Sequence, residues 1–349
     1  MKFIIIGFFR SGTTFLSNIL NSHPDLHSVS DPFIILIKSF RNKILKFEKK
    51  NWDKDLENFI FPLEKKKIIK INSSSFLRKL TNKDIVYIHN KILVEKKYQH
   101  PNIDKIPQPV NCTNYKELLI YYLKNFHKIS GQKKKYLGTK ISWCEEYIPA
   151  FNKSFKNLKI ICIVRNINDV ITSGISSINY SNTFPSAVRP ILYYLMYWKK
   201  SIKYIKKNQK KVHLIKYENL VNDYKNEKKK LFNFLNVRNP KTLKLSDQYG
   251  NVWYNNSSYK NNSSLILGAK VSKNLLKKRG KVKLDNKLKN VIEHLCFKEL
   301  KFLGYEVKKN KYKNSELIKI IKTHDKKFNF PKKFHYYLKY KKILNNLKY

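Results

Sequence analysis

The first residues whose types and spacing could do chemistry lie at the start of the chain, in a loop bounded by glycines. Residues 3–6 form an unbroken apolar run, residues 7–12 interrupt it, and apolar side chains then recur at helical spacing over residues 15–20. A strand, tight loop and helix in this order direct backbone N–H groups to one point at the positive helix end. The stretch therefore predicts a binding site for a phosphate or sulfate group.

The loop lacks the residues of a metal-dependent nucleotide triphosphatase. Residues 7–14 have the spacing G-x-x-x-x-G-x-[ST], but Thr13 stands where a lysine would be needed, and the nearest cation is Arg10. A strand ending in a carboxylate for Mg²⁺ is also hard to find, since the run at 160–164 leads into Arg165. Both observations disfavour metal-dependent phosphoryl transfer. A divergent nucleoside or sugar kinase is the alternative that strict Mg²⁺ and ATP dependence would support.

The composition limits the classes of partner that the chain is expected to bind. Its 349 residues carry a formal net charge of +49, which is typical of proteins that bind nucleic acids or other polyanions. Seven of the 73 basic residues are Arg and 66 are Lys, so a compositional bias that places Lys on exposed faces explains most of the charge. We expect no nucleic-acid partner, and a non-catalytic polyanion-binding protein is the alternative from another class. Arg10 and Arg165 indicate anion binding, because Arg is rare in this chain and the forked N–H donors of a guanidinium group suit an oxyanion.

Cysteine spacing and hydropathy exclude further classes. The four cysteines lie far apart without the spacing of metal ligands, so neither a zinc site nor a disulfide framework is expected. No secretory segment precedes the first predicted strand, and no apolar run reaches the roughly eighteen residues of a transmembrane helix. These features predict a cytoplasmic protein without a bound metal.

Two stretches resemble the donor-binding motifs of sulfotransferases that use 3′-phosphoadenosine 5′-phosphosulfate (PAPS). Residues 9–16, F-R-S-G-T-T-F-L, resemble the family's loop for the 5′-phosphosulfate. Residues 160–177, IICIVRNINDVITSGISS, resemble its 3′-phosphate motif, in which an Arg closes a strand and a Ser eight residues later joins it. The resemblance implies that PAPS is the co-substrate and that these residues contact it: Arg10, Ser11, Gly12, Thr13, Thr14, Phe15, Arg165 and Ser173.

The same resemblance implies a catalytic base and a catalytic cation. A His-Pro-Asp turn, here at residues 23–25, is also seen in tyrosylprotein, heparan and many bacterial carbohydrate sulfotransferases, where a carboxylate near the end of the next segment deprotonates the acceptor. That position falls on Asp31, although the family more often has Glu, and His27 is the alternative base. A turn residue before Pro32 is the other role open to Asp31, and the spacing from the loop favours the base. Residues 136–141, YLGTKI, resemble the strand whose Lys points at the transferred sulfate, which assigns Lys140.

Two later landmarks of the family complete the implied donor site. Y-E-x-L at residues 217–220 resembles the motif whose Tyr approaches the adenine and phosphate, which assigns Tyr217. K-K-R-G at residues 277–280 resembles the basic-glycine loop over the 3′-phosphate, although the usual nearby Trp is absent. This loop assigns Arg279 and Gly280 as contacts of the donor.

The resemblance implies an α/β class, a P-loop-like three-layer fold with a central, mainly parallel sheet and a helical insertion. We expect one sulfotransferase domain at residues 1–308, with an acceptor-side insertion at about 34–135, and a basic Tyr-rich extension at 309–349. The extension could contact an anionic membrane surface. The implied reaction is in-line transfer to a hydroxyl, expected on a glycan or glycolipid, with a protein tyrosine or a small-molecule hydroxyl as the alternative acceptor.

Overall fold

The computed structural model describes residues 1–30, 33–46, 65–96, 100, 102–176, 191–252, 284–308 and 311–326. Five strands in this part of the chain form one sheet in the order β2-β3-β1-β4-β5. The strands are β1 Phe3–Gly7, β2 Leu26–Ser30, β3 Tyr136–Ser142, β4 Lys159–Val164 and β5 His213–Lys216. The central strand β1 pairs in parallel with both β3 and β4, and β2 pairs in parallel with β3. The parallel sheet confirms the predicted α/β fold class.

The apolar runs of the sequence form the centre of this sheet. All four residues of the run at 3–6 are fully buried, as are those at 160–163 on the neighbouring strand β4. Strands of parallel sheets are covered by helices on both faces, so they need apolar side chains at successive positions. In β1 and β4 the one polar side chain is that of Lys159 at the start of β4, and further polar residues lie in the loops that follow these strands.

Helices connect the strands. In chain order they are α1 Thr13–Asn21, α2 Ile34–Ile44, α3 Lys65–Ser73, α4 Asn82–Lys96, α5 Tyr115–Ile129, α6 Ile148–Ser154, α7 Ile167–Ser176, α8 Ile191–Lys207, α9 Tyr217–Asn222, α10 Tyr224–Leu235, α11 Asn286–Leu295, α12 Phe297–Phe302 and α13 Asn314–Lys326. No helix among the described residues is both long enough and apolar enough to pass through a membrane.

The chain divides into two compact units. The first comprises Met1–Ile163 and Asn208–Val271, and it contains the whole sheet except Val164, the last residue of β4. The second comprises Val164–Lys207 and Ser272–Tyr349, and its described elements beyond β4 are helices. The candidate donor-binding residues are therefore divided between the units, with Arg10 and Lys140 in the first and Arg165 and Ser173 in the second.

The described part of the predicted insertion at 34–135 is helical and has its own aromatic core. Phe40 stacks on Phe76 with ring centroids 4.2 Å apart, and Tyr115 meets Phe40 edge-on at 5.3 Å. All three side chains are fully buried. These aromatic residues pack the subdomain, while its predicted role on the acceptor side stays a prediction.

The predicted C-terminal extension begins as a packed helix. In α13 the side chains of Leu317 and Ile321 are fully buried, and His324 pairs with Asp285 at 2.6 Å. Helix α13 therefore contributes to the second unit. The rest of the extension, residues 327–349, lies outside the described residues.

Candidate functional site

The loop between β1 and α1 has the backbone of an anion cradle. Arg10 and Gly12 both have positive φ angles, 63° and 96°, which turn the chain sharply between the buried strand and the helix. At Gly12 a Cβ atom would overlap the ring of Tyr217. Glycine is thus required at position 12 for two reasons, its left-handed conformation and the close approach of an aromatic ring.

The polar groups of this loop fit a bound anion. The Oγ of Ser11 is buried and has no hydrogen-bond partner among the described residues, which is costly unless a ligand supplies one. Helix α1 begins after Gly12 without a side-chain cap and without an acidic residue in its first turn. The first N–H groups of α1 are therefore not capped by a side chain, and they lie next to a buried hydroxyl.

Strand β3 brings a lysine to the start of α1. Lys140 pairs in register with Ile5 of β1, and only 1% of its surface is exposed. Its Nζ donates a 3.3 Å hydrogen bond to Thr14 Oγ1. The hydroxyls of Thr13 and Ser142 lie 3.4 Å apart. The structure thus brings Lys140 of β3 to the first turn of α1, directly after the loop that contains Arg10.

Tyr217 lies on the other side of the same loop. It is the first residue of α9, directly after β5, and only 4% of it is exposed. Its ring packs on Gly12 and meets Phe15 edge-on, with centroids 5.9 Å apart. Phe15 is itself buried at 2% exposure. Both aromatic residues pack at the loop and support its backbone, a role that the sequence motifs did not indicate.

The second unit holds the other predicted phosphate ligands. Arg165 follows β4 directly, and its carbonyl oxygen accepts a 3.0 Å hydrogen bond from Trp198 Nε1. The Asn166 side chain accepts the N–H of Asn168 at 2.9 Å, which caps the start of α7 as expected for this residue type. Ser173 lies half-buried on α7. Arg165 thus sits at the N-terminus of the helix that carries Ser173.

A polar network surrounds the end of β2, one residue before the predicted base. The N–H of Ser30 donates to Gln248 Oε1 and its carbonyl accepts from His100 Nε2, both at 2.9 Å. His100 Nδ1 lies 3.0 Å from the hydroxyl of Tyr249. No motif in the sequence indicated these residues, because they come from segments far from β2 in the chain.

His27, the alternative base, is fully engaged inside this network. Its Nε2 lies 2.9 Å from the carbonyl of Gln248, which can only accept, so Nε2 carries the proton. Its Nδ1 lies 2.9 Å from His127 Nδ1, and His27 is only 1% exposed. Burial lowers the pKa of His27 to about 4. This geometry gives His27 a structural role and leaves no ring nitrogen for an acceptor hydroxyl.

The turn that precedes β2 is likewise held by a histidine. His23 Nδ1 accepts the N–H of Asp25 at 3.0 Å, and its Nε2 lies 2.7 Å from the carbonyl of Arg238. His23 therefore shapes the turn.

Three predicted site residues cannot be placed. Asp31, Arg279 and Gly280 lie outside the described residues. In the described ranges no group of three or more His, Cys, Asp or Glu side chains could hold a metal ion.

Comparison with known proteins gives one family. The sequence model described as "Sulfotransferase family" matches residues 3–240. No curated protein sequence matches the chain.

Three solved structures resemble the chain weakly. The sulfotransferase domain from the Synechococcus PCC 7002 olefin synthase is 15% identical, with 88% of this chain and 95% of that chain covered and a TM-score of 0.43. The sulfotransferase domain from the curacin biosynthetic pathway is 16% identical, with 88% and 98% covered and a TM-score of 0.43. Sulfotransferase STF9 from Mycobacterium avium is 10% identical, with 88% and 78% covered and a TM-score of 0.41. Likenesses at this level carry no argument about function.

Proposed function

The chain belongs to the sulfotransferase family, and we propose that it transfers the sulfuryl group of PAPS to a hydroxyl of a carbohydrate or glycan. The observation that carries the donor assignment is the loop at residues 8–12. It combines a left-handed Gly12, a buried Ser11 hydroxyl without a described partner and a helix start without a side-chain cap. These features suit a terminal sulfate or phosphate group.

PAPS supplies a sulfuryl group whose S–O bond to the 5′-phosphate is the bond that breaks in the transfer. Asp31 takes the proton of the acceptor hydroxyl as its oxygen forms the new bond to sulfur. Arg10, Lys140 and the loop N–H groups stabilise the negative charge that develops on the leaving phosphate oxygen. The contact between Lys140 and Thr14 supports this role, because it holds the ammonium group at the first turn of α1.

We assign the remaining donor groups by the resemblance and the chain order. Arg165 and Ser173 bind the 3′-phosphate together with Arg279 and Gly280, and Tyr217 lies near the adenine. A guanidinium presents a planar fork of donors that matches a phosphate better than an ammonium does. Arg165 is one of seven Arg in a chain with 66 Lys, which makes its position directly after β4 informative.

The kind of base supports a carbohydrate acceptor over a small phenol. The His-Pro-Asp turn with a carboxylate after the next strand resembles carbohydrate and tyrosylprotein sulfotransferases, whereas small-phenol enzymes of similar fold use His. Both ring nitrogens of His27 are engaged with other groups, which favours a carboxylate as the base. A glycan or glycolipid is therefore the proposed partner.

Calorimetric titration with 3′-phosphoadenosine 5′-phosphate, the desulfated product, tests the donor assignment. We expect micromolar binding of this bisphosphate by the wild type and much weaker binding of ATP and adenosine 5′-phosphate. Arg165→Ala should weaken binding by roughly 10- to 100-fold, the value of one charged hydrogen-bonding group. Arg238→Ala is the matched control, because Arg238 is exposed and should leave binding unchanged. Equal or absent binding of all three nucleotides would refute the proposed donor.

A further inference from the structure

Two bulky residues have left-handed backbones at the carboxyl ends of neighbouring strands. Arg10 has φ 63° shortly after β1, and Trp143 has φ 62° directly after β3. This region is unfavourable for large L-residues, whereas Asn157 and Asn236, which also occupy it, are of a type that tolerates it. Such strain persists only where the surroundings enforce it, and it concentrates at functional sites. Trp143 and the proposed catalytic residue Arg10 thus both have a positive φ angle, and both follow the carboxyl end of an inner strand of the sheet.

The surroundings of Trp143 fix it beside the loop. Its N–H donates a 3.2 Å hydrogen bond to the carbonyl of Gly7, the last residue of β1. The preceding residue, Ser142, lies 3.4 Å from Thr13 Oγ1 at the start of α1. Trp143 is therefore tied to both ends of the loop that is proposed to hold the sulfuryl group.

The indole ring forms a corner with the ring of Phe9. The two ring centroids lie 5.0 Å apart with an interplanar angle of 85°. The ring of Phe8 contacts both, at 4.7 Å from Phe9 and 6.3 Å from Trp143. Phe8 is buried at 3% exposure, while Phe9 and Trp143 are partly exposed. A buried aromatic residue thus supports two partly exposed ones, which gives a rigid apolar surface next to Arg10.

This corner lies on the β3 side of the loop. The sheet order places β3 on one side of β1 and β4 with β5 on the other. Tyr217, the proposed neighbour of the adenine, follows β5 and packs on Gly12. Trp143 follows β3, the strand that carries Lys140. With the nucleotide on the β5 side, the surface on the β3 side is left for the group that receives the sulfate.

We propose that Trp143, with Phe9 beside it, is the platform on which the pyranose ring of the acceptor stacks. A pyranose presents a flat face of C–H groups that matches an aromatic surface, and its hydroxyls point outward from the ring edge. Stacking on Trp143 would direct one of these hydroxyls toward the loop at Arg10. Acyclic alcohols lack the rigid face and would not be oriented. This inference rests on the proposed function and specifies the acceptor as a ring-bearing sugar.

The variant Trp143→Asn tests the platform without disturbing the backbone. Asn tolerates φ near +60°, which offsets part of the cost of losing the ring contacts with Phe8 and Phe9, so the variant should stay folded. With PAPS labelled in the sulfate, the KM for octyl β-D-glucopyranoside and octyl β-D-galactopyranoside should rise at least about tenfold through loss of ring stacking. Trp143→Phe keeps an aromatic face and should stay within about threefold of the wild-type KM.

Two controls separate this inference from a general effect on fold or donor. Lys46 has φ 57° after the end of α2 and is exposed, so Lys46→Asn removes the same backbone strain without touching the platform. It should leave the KM for both glycosides unchanged. Binding of 3′-phosphoadenosine 5′-phosphate should be equal in the wild type and Trp143→Asn. Transfer by the wild type to 1-octanol, which has no ring to stack, should be much slower than to the glycosides. N-acetyltyrosinamide, whose phenol ring can also stack on an indole, distinguishes a protein-tyrosine acceptor from a sugar.

The contrary outcomes distinguish an error in the proposed function from an error in the proposed platform. A wild type that fails to bind the bisphosphate defeats the proposed function itself. A wild type that binds it but prefers 1-octanol or N-acetyltyrosinamide, or sulfates neither glycoside, overturns the platform. An unchanged glycoside KM in Trp143→Asn also overturns it, as does loss of bisphosphate binding in that variant.

Discussion

Individual residues at the start of α1 are placed by partners from different parts of the chain. Lys140 reaches Thr14 from a strand more than a hundred residues later, and Ser142 reaches Thr13 from the same strand. A buried ammonium group next to hydroxyls is pre-arranged for a negative charge, since little reorganisation is needed when that charge appears. The residues around the loop therefore form an electrostatic site before any ligand is bound.

Arg10→Ala should reduce turnover by hundreds-fold at saturating PAPS. Preorganised donors to a developing charge are typically worth about 3 to 4 kcal/mol each, and this variant removes one of them. Arg10→Lys restores a positive charge without the planar fork and should recover only part of the activity. Sulfate transfer from PAPS to octyl β-D-glucopyranoside measures the effect.

Arg78→Ala is the matched control, because Arg78 is exposed on the helical insertion and should leave turnover unchanged. Near-full activity of Arg10→Ala would contradict the assignment of Arg10 to the leaving-group charge.

At the scale of elements, the strand β2 shows how polar side chains protect the edge of a sheet. Its position at the end of the strand order leaves one row of backbone groups without a strand partner among the described residues. Asn21 satisfies both backbone groups of Ser28, and Gln248 with His100 satisfies both groups of Ser30. Side-chain amides and an imidazole thus replace a neighbouring strand, which fixes β2 and blocks pairing with another chain.

The loop between β1 and α1 gives a prediction about glycine. Gly12→Ala should lower the free energy of unfolding by the roughly 1 to 2 kcal/mol of a left-handed residue and by a further ~1 to 3 kcal/mol for the overlap with Tyr217. Gly131→Ala is the matched control, because Gly131 has φ 68° and open space around its Cα. It should show the backbone cost alone.

Urea denaturation measures both glycine variants. The double variant Gly12→Ala with Tyr217→Ala separates the two costs, because removing the ring should relieve the overlap. Equal destabilisation by Gly12→Ala and Gly131→Ala would show that Tyr217 does not brace the loop.

At the scale of the whole molecule, pH and charge act on stability together. Burial lowers the pKa of His27 to about 4 and lowers the pKa values of His89, His127 and His213 as well. In the unfolded chain these groups titrate near 6.5, so the unfolded state binds more protons at acidic pH. Acid therefore favours unfolding, and the high positive charge of the chain adds self-repulsion.

The free energy of unfolding should be at its full value above pH 6.5 and fall as the pH drops toward 4. The slope from His27 alone approaches ~1.4 kcal/mol per pH unit in this interval. Urea midpoints between pH 7.5 and pH 4 measure it, and His27→Gln, which retains a donor for the Gln248 carbonyl, should show a shallower dependence. The same slope in His27→Gln would assign the acid sensitivity to other groups.

The sequence by itself determined the elements with a strong local signal. The apolar runs at 3–6 and 160–164 are the central strands, because short apolar runs that end in loop residues suit strands buried on both faces. The glycines of the loop between Gly7 and Gly12 and its position before a helix predict an anion site. Family motifs added Lys140 and Tyr217, whose places beside the loop the structure shows.

Only the tertiary structure decided which distant residues meet. Trp143 joins Phe9, Gln248 and His100 enclose Ser30, and His27 loses its ring nitrogens to Gln248 and His127. None of these contacts has a local signature, since each depends on strand order and on how segments a hundred or more residues apart pack on β2 and β3. Local sequence fixes backbone preferences within a few residues, whereas the contacts of a site are set by packing of the whole fold.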